Sequence, residues 1–124
     1  MNSVSESVLR DRRPGGFTKA MRVYIAGPMT GLPEHNYPAF NTMAERLRAL
    51  GHHVENPAEN PVPPCKSWRG YMRMAIAQLV TCDAVALLPG WGASKGARIE
   101  ARLAADLCLN VYDAEALASE HAHG

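Results

Sequence analysis

No apolar run in the 124-residue chain reaches the ~20 residues of a membrane-spanning helix; the most apolar stretch, Ala84 to Leu88, is far too short. The N-terminus also lacks the apolar core of a secretory signal, so none is expected. Cysteine is scarce: Cys65, Cys82 and Cys108 are odd in number, scattered, and form no C-x-x-C pair. That pattern fits neither a disulfide framework nor a zinc site and suits a reducing compartment, so a cytoplasmic protein is expected, with Cys82 and Cys108 as core thiols. Neither sign of charge dominates, since 13 Lys+Arg against 12 Asp+Glu leave a formal net charge of +1. The electrostatic footprint of a nucleic-acid polymer binder is therefore missing, and Arg10, Arg12 and Arg13 are too few to supply it. What remains, 47% hydrophobic and 20% charged residues, is the balance of one ordinary globular domain. A chain of this length buries roughly two thirds of its unfolded surface.

Residues 1–20 are Ser- and Arg-rich, carry Pro14-Gly15-Gly16, and offer little to anchor a core, so a disordered extension is expected before a domain over 21–124. Met21 opens the first convincing element and is a candidate alternative start. From there β-prone and helical patterns alternate. Strands are expected at Val23 to Ala26, weakly at His53 to Glu55, at Asp83 to Leu88 and at Cys108 to Tyr112. Helices are expected at Pro38 to Leu50 (ended by Gly51), Trp68 to Val80 and Gly96 to Leu107, with a terminal turn at Ala114 to Ser119. On the second helix Trp68, Tyr71, Met72, Ile76 and Leu79 share a face. This alternation predicts a small Rossmann-like (flavodoxin-like) α/β domain: a parallel sheet of about four strands with right-handed crossovers. In such folds ligands sit beyond the carboxyl ends of the strands. That picks out two loops, Gly27 to Tyr37 and Pro89 to Gly96.

The third helix carries the most informative residue. At about 100° per residue, Gly96, Ile99, Leu103 and Leu107 share one arc, Glu100 falls at its edge, and Arg98 and Arg102 lie opposite. Burying an unpaired carboxylate costs several kcal/mol as an order of magnitude, so Glu100 needs a reason. The bland reading is a marginal glutamate reaching solvent or an arginine. The functional one rests on its place in the second turn of a helix that starts at the ligand edge. The loop before it, Gly90-Trp91-Gly92-Ala93-Ser94-Lys95-Gly96, sets small residues, a hydroxyl and a cation at a helix N-terminus, where free N–H groups favour an anion such as phosphate. Ser94 as a plain N-cap is the alternative, and the two roles coexist. The loop is neither a Walker A sequence nor a dinucleotide fingerprint.

Across the cleft, Tyr24 to Gly31 (Y-I-A-G-P-M-T-G) runs off the first strand, with Gly27 and Gly31 allowing close approach of the backbone to a ligand. Tyr24 is either a core tyrosine or a hydroxyl aimed at the cleft. Asn36, Tyr37, Phe40 and Trp91 offer a polar group and stacking faces for a planar base. His52-His53 reads as a surface strand pair, and His121 and His123 lie in a tail with no supporting ligand cluster. No metal and no cofactor are expected.

Four segments, Tyr24 to Gly31, N-P-A-E at Asn56 to Glu59, C-D-A-V-A-L-L-P-G-W at Cys82 to Trp91 and S-K-G-A-R-I-E at Ser94 to Glu100, together resemble the nucleoside 2-deoxyribosyltransferase-like superfamily. The likeness covers about residues 21–113 and points to its small branch often encoded by phages and prophages, related to the 2′-deoxynucleoside 5′-monophosphate N-glycosidases. It implies cleavage of the N-glycosidic bond of 2′-deoxynucleosides or their 5′-monophosphates, and a homo-oligomer, dimer or larger. The superfamily's glutamate nucleophile matches Glu100, its supporting tyrosine Tyr24, and a phosphate-binding serine Ser94. A second phosphate-binding serine falls at Pro28, and a first-loop arginine at Thr30. Met29, Lys95 and Gly96 complete the expected substrate-binding set. The aspartate that helps protonate the leaving base falls at Ala75. Asp83 cannot replace it, since it opens its strand roughly 15 Å from the active edge. Two readings follow: a covalent deoxyribosyl-glutamate mechanism ending in hydrolysis or base exchange, or a non-catalytic nucleotide-binding or sensor module.

Overall fold

The computed structural model describes residues 19–120. The expected disordered extension lies outside these residues except for Lys19 and Ala20, which carry no helix or strand; His121 and His123 also lie outside them. The chain folds as β1 (Arg22–Ala26), α1 (Tyr37–Ala49), β2 (His53–Glu55), α2 (Trp68–Leu79), β3 (Ala84–Leu87), α3 (Lys95–Asp106), β4 (Asn110–Asp113) and α4 (Ala114–Glu120). Short 3₁₀ turns occupy Pro33–Asn36, Pro57–Glu59 and Trp91–Ala93. All strand pairs are parallel, in the order β2-β1-β3-β4. This is the Rossmann-like α/β sheet that the alternating pattern predicts.

Side chains alternate across the two central strands and divide the core in two. Val23 and Ile25 of β1 and Ala84 and Ala86 of β3 face Phe40, Met43, Ala44 and Leu47 of α1 and Ala114 and Leu117 of α4. Tyr24 and Ala26, with Val85 and Leu87, face Ala75 and Leu79 of α2 and Ala104 of α3. The chain visits β2 on one side of β1 and then crosses to β3 on the other, so the strand order reverses between β1 and β3. A crevice opens beyond the carboxyl ends of two strands at such a reversal.

Three expectations about the elements are corrected. The buried face of α3 is Ala97, Glu100 and Ala104, whereas Ile99 and Leu107 are exposed. Alanines let the helix lie close on the sheet, so the small residues turn inward and Glu100 shares the buried face with Ala97 and Ala104. Cys108 is exposed, not a core thiol, and β4 begins only at Asn110. Cys108 takes φ 61° just past the end of α3, where its N–H reaches Ala105 O and that of Leu109 reaches Ala104 O. These are the two bonds of a Schellman cap. His52, expected at a surface, is buried, and its Nδ1 accepts from the Met21 N–H at 3.1 Å. Cys82 is buried as expected, and Gly51 (φ 99°) ends α1.

Candidate active site

Helices that cross between parallel strands run antiparallel to them, so the first turns of α2 and α3 stand at the carboxyl edge beside the β1 and β3 loops. There they enclose a cleft of about 1180 Å³. From β1 and the loop after it the cleft is lined by Tyr24, Gly27, Pro28, Met29, Thr30, Gly31 and Asn36, and from α3 and its N-cap by Ser94, Lys95, Gly96 and Glu100. The two loops chosen from the strand rule thus meet in one site.

Tyr24, on the α2/α3 side of β1, points at the inward face of α3. Its Oη donates to Glu100 Oε2 at 2.8 Å. Both are buried, Tyr24 completely and Glu100 to 5% exposure. Among the described residues no arginine neutralises the carboxylate: Arg98 donates to Gly92 O at 3.1 Å, and Arg102 lies 3.4 Å from Asp106. The marginal-glutamate reading is therefore excluded. Among the described residues Glu100 Oε1 has no partner and no buried side-chain oxygen is left unpaired, so Oε1 is open, at a residue that lines the cleft. Burial pushes the Glu100 pKa up to about 7, opposed by the Tyr24 hydrogen bond. Burial, followed by the neighbouring carboxylate, drives the Tyr24 pKa well above its ordinary value, which keeps the phenol a donor.

Ser94 caps α3, its Oγ accepting from the Ala97 N–H at 3.2 Å, while the residue also lines the cleft. The Lys95 ammonium sits 4.7 Å from the centroid of the Trp68 ring, a cation–π contact tying α3 to α2. The freedom of Gly27 serves the fold first, because a Cβ there would lie 2.8 Å from Leu88 Cβ. Gly31 takes φ 82°, which favours glycine. Glu34, His35 and Asn36 also take left-handed φ values of 52°, 54° and 61°, a strained run fastened by Asn36 Nδ2 donating to Pro28 O at 2.9 Å.

Two expected stacking faces are not available. Trp91 is not among the cleft residues; its ring packs back on the core beside α2 and α3. Phe40 lies at the cleft floor but is 1% exposed, locked in the core beneath. The aromatic wall comes from Tyr37, which was expected, and from Trp68 and Tyr71, which were not. Of the α2 stripe only Leu79 is fully buried, while Trp68 and Tyr71 are exposed at the cleft. Ala75 lines the cleft at the position where the resemblance expects an acid. Asp83 accepts from the Arg22 N–H at 3.0 Å at the opposite end of the sheet. Asn60, which the sequence reading passed over, also reaches the cleft. Among the described residues no cluster of three His, Cys, Asp or Glu side chains is arranged to hold a metal ion, and no helix is long and apolar enough to cross a membrane.

A parallel α/β sheet with a buried tyrosine–glutamate pair opening into a cleft at its strand-order reversal defines the class of the molecule. Residues 21–113 match the model of a domain of unknown function, DUF4406, and the chain belongs to that family. No curated protein and no solved structure gives a significant match.

Proposed function

We propose that this chain cleaves the N-glycosidic bond of 2′-deoxynucleosides or their 5′-monophosphates, as a relative of the nucleoside 2-deoxyribosyltransferases. The observation that carries the reading is Glu100, buried without a cation, oriented by Tyr24 at 2.8 Å, and open to the cleft through its second oxygen. A structural carboxylate has no need of such an arrangement, whereas a nucleophile does.

In the first step Glu100 Oε1 attacks C1′ through an oxocarbenium-like transition state, the C1′–N bond breaks, and its electron pair leaves with the base. Tyr24 holds the other carboxylate oxygen, and the departing nitrogen takes a proton from water, since Ala75 has none to give. Water then attacks C1′ of the deoxyribosyl ester, restoring the carboxylate and releasing the sugar and a proton; attack by a second base nitrogen gives exchange instead. Lacking a 2′-hydroxyl, a deoxyribosyl cation forms more readily than a ribosyl one. A 5′-phosphate fits the N-terminus of α3 at Ser94 and Gly96, with Lys95 moving off Trp68 to meet it.

Incubation with deoxynucleoside monophosphates, followed by chromatography for free base, tests the reading. Glu100→Gln is expected to lower base release by at least about 10³-fold, as loss of a catalytic nucleophile does; a mutant with the native rate overturns the assignment. Ala75 favours the second reading, a nucleotide-binding or sensor module, for which binding without any release of base is the expected result. The same proposal carries a dimer or larger homo-oligomer. The exposed Ile99 and Leu107 on the outer face of α3 are its first candidate contact, to be read by light scattering.

A further inference from the structure

Asn60 directly follows the Pro57–Glu59 turn beyond β2 and lines the same cleft. Its Nδ2 donates to Gln78 Oε1 at 2.7 Å. The Gln78 Nε2 in turn donates to Glu55 Oε1 at 3.0 Å. Glu55 is fixed as a carboxylate: Arg22 Nη2 donates to its Oε2 at 2.7 Å, and His53 Nε2 lies 3.0 Å from the same oxygen. These hydrogen bonds, that from His53 foremost, hold the Glu55 pKa below its ordinary value.

This chain of contacts has only one direction. The two ends of an amide side chain have nearly the same shape, and its neighbours decide which end is oxygen. A carboxylate only accepts. Gln78 must therefore turn its NH₂ to Glu55 and its oxygen to Asn60, and Asn60 must turn its NH₂ to Gln78. The Asn60 Oδ1 is left without a partner among the described residues. Because no buried side-chain oxygen among the described residues is unpaired, that atom is open, at a residue that lines the cleft. Gln78 follows Ala75 by three positions on α2, so this acceptor is docked one helical turn from the gap left by the expected acid.

We infer that Asn60 reads the leaving base as a hydrogen-bond acceptor, so that the cleft selects bases bearing an exocyclic amino group over those with a carbonyl at the same position. This rests on the glycosidic reading above and adds a substrate preference to it. Glu55, which never touches the base, sets the preference by fixing the polarity of both amides and is a positioning residue.

Two substrate pairs test it, each exchanging an amino donor for a carbonyl acceptor: deoxyadenosine against deoxyinosine monophosphate, and deoxycytidine against deoxyuridine monophosphate. The expected kcat/KM ratio favours the amino member by roughly tenfold or more in at least one pair, since a carbonyl there leaves two acceptors facing each other. Asn60→Ala is expected to bring that ratio close to one. Glu55→Gln, which can both donate and accept and so frees the amides to turn over, is expected to reduce it severalfold. A general structural role would lower both members of a pair together and leave their ratio intact. Base release with no preference, with the opposite preference, or with a ratio that survives Asn60→Ala overturns the inference and leaves the glycosidic reading standing. Dissociation constants for the same four nucleotides, measured by calorimetry, decide the case without turnover: binding without base release that keeps the ratio retains Asn60 as a reader in a binding module. Failure of all four to bind or react overturns both.

Discussion

Glu55 and Glu100 are both glutamates partly or wholly withdrawn from water, and the structure treats them in opposite ways. Glu55 is met by donors from Arg22, His53 and Gln78, and its pKa is held below the ordinary carboxylate value. Glu100 receives one phenol, no cation and deeper burial, and its pKa is pushed up to about 7. A carboxylate placed for structure is surrounded until its charge is satisfied; one placed for chemistry is held by a single contact and left reactive on the side that faces substrate. On the proposed function the contrast also separates two ways in which a buried acid influences a site: Glu100 at the reacting carbon, Glu55 only through the direction of two amides.

The largest expected difference is in rate. Glu100→Gln should abolish base release by at least about 10³-fold, as chromatography reads it, and an active mutant would remove the contrast altogether. Next comes stability against pH. The folded-state pKa of Glu100 is raised above its unfolded value, so the native state binds more protons between about pH 4.5 and 7, and stability falls as pH rises through that window. A shift of this size corresponds to about 3 kcal/mol. Denaturant melts of wild type and Glu100→Gln should therefore diverge between pH 4 and pH 8, the mutant being relatively more stable at the higher pH. An unchanged difference would mean that burial does not strain the charge.

A smaller effect is expected at Tyr24. Its hydrogen bond opposes the upward shift of Glu100, so Tyr24→Phe should move the rising limb of the pH–rate profile to higher pH. The expected loss is about tenfold near neutrality, narrowing as pH increases. A uniform loss at all pH values would make Tyr24 a packing residue only. Smallest is Glu55→Gln, expected to cost about 1 kcal/mol near neutral pH. Because the pKa of Glu55 is lowered in the folded state, that difference should fade as the medium is acidified through the carboxylate range, opposite in sign to Glu100.

Much of this was legible in the sequence because the fold is built from local signals. Apolar strands, helical spacing and Gly51 define the elements, and the strand-end rule picks out both loops that form the cleft. The Tyr24–Glu100 pairing came from the resemblance and is present at 2.8 Å. What sequence could not supply depends on how the layers meet. The inward face of α3 is set by small residues that allow close contact, so the larger Ile99 and Leu107 misdirect a reading based on hydrophobicity. Trp91 and Trp68 exchange their expected roles: Trp91, in a 3₁₀ turn, packs against the core, while Trp68 at the start of α2 is exposed at the cleft. Asn60 acquires meaning only through partners 18 and 23 residues apart along successive links, which no local motif records.

The left-handed Cys108 closes the helix that carries Glu100. Eight residues at a helical rise put it about 12 Å along the axis from Glu100. A roughly 10° swing about that cap would carry the carboxylate about 2 Å, far enough to cost on the order of 10²-fold in turnover. On the proposed function the aim of the Glu100 oxygen thus depends on how the far end of a stiff lever is held, and the exposed Cys108 thiol belongs to its bearing.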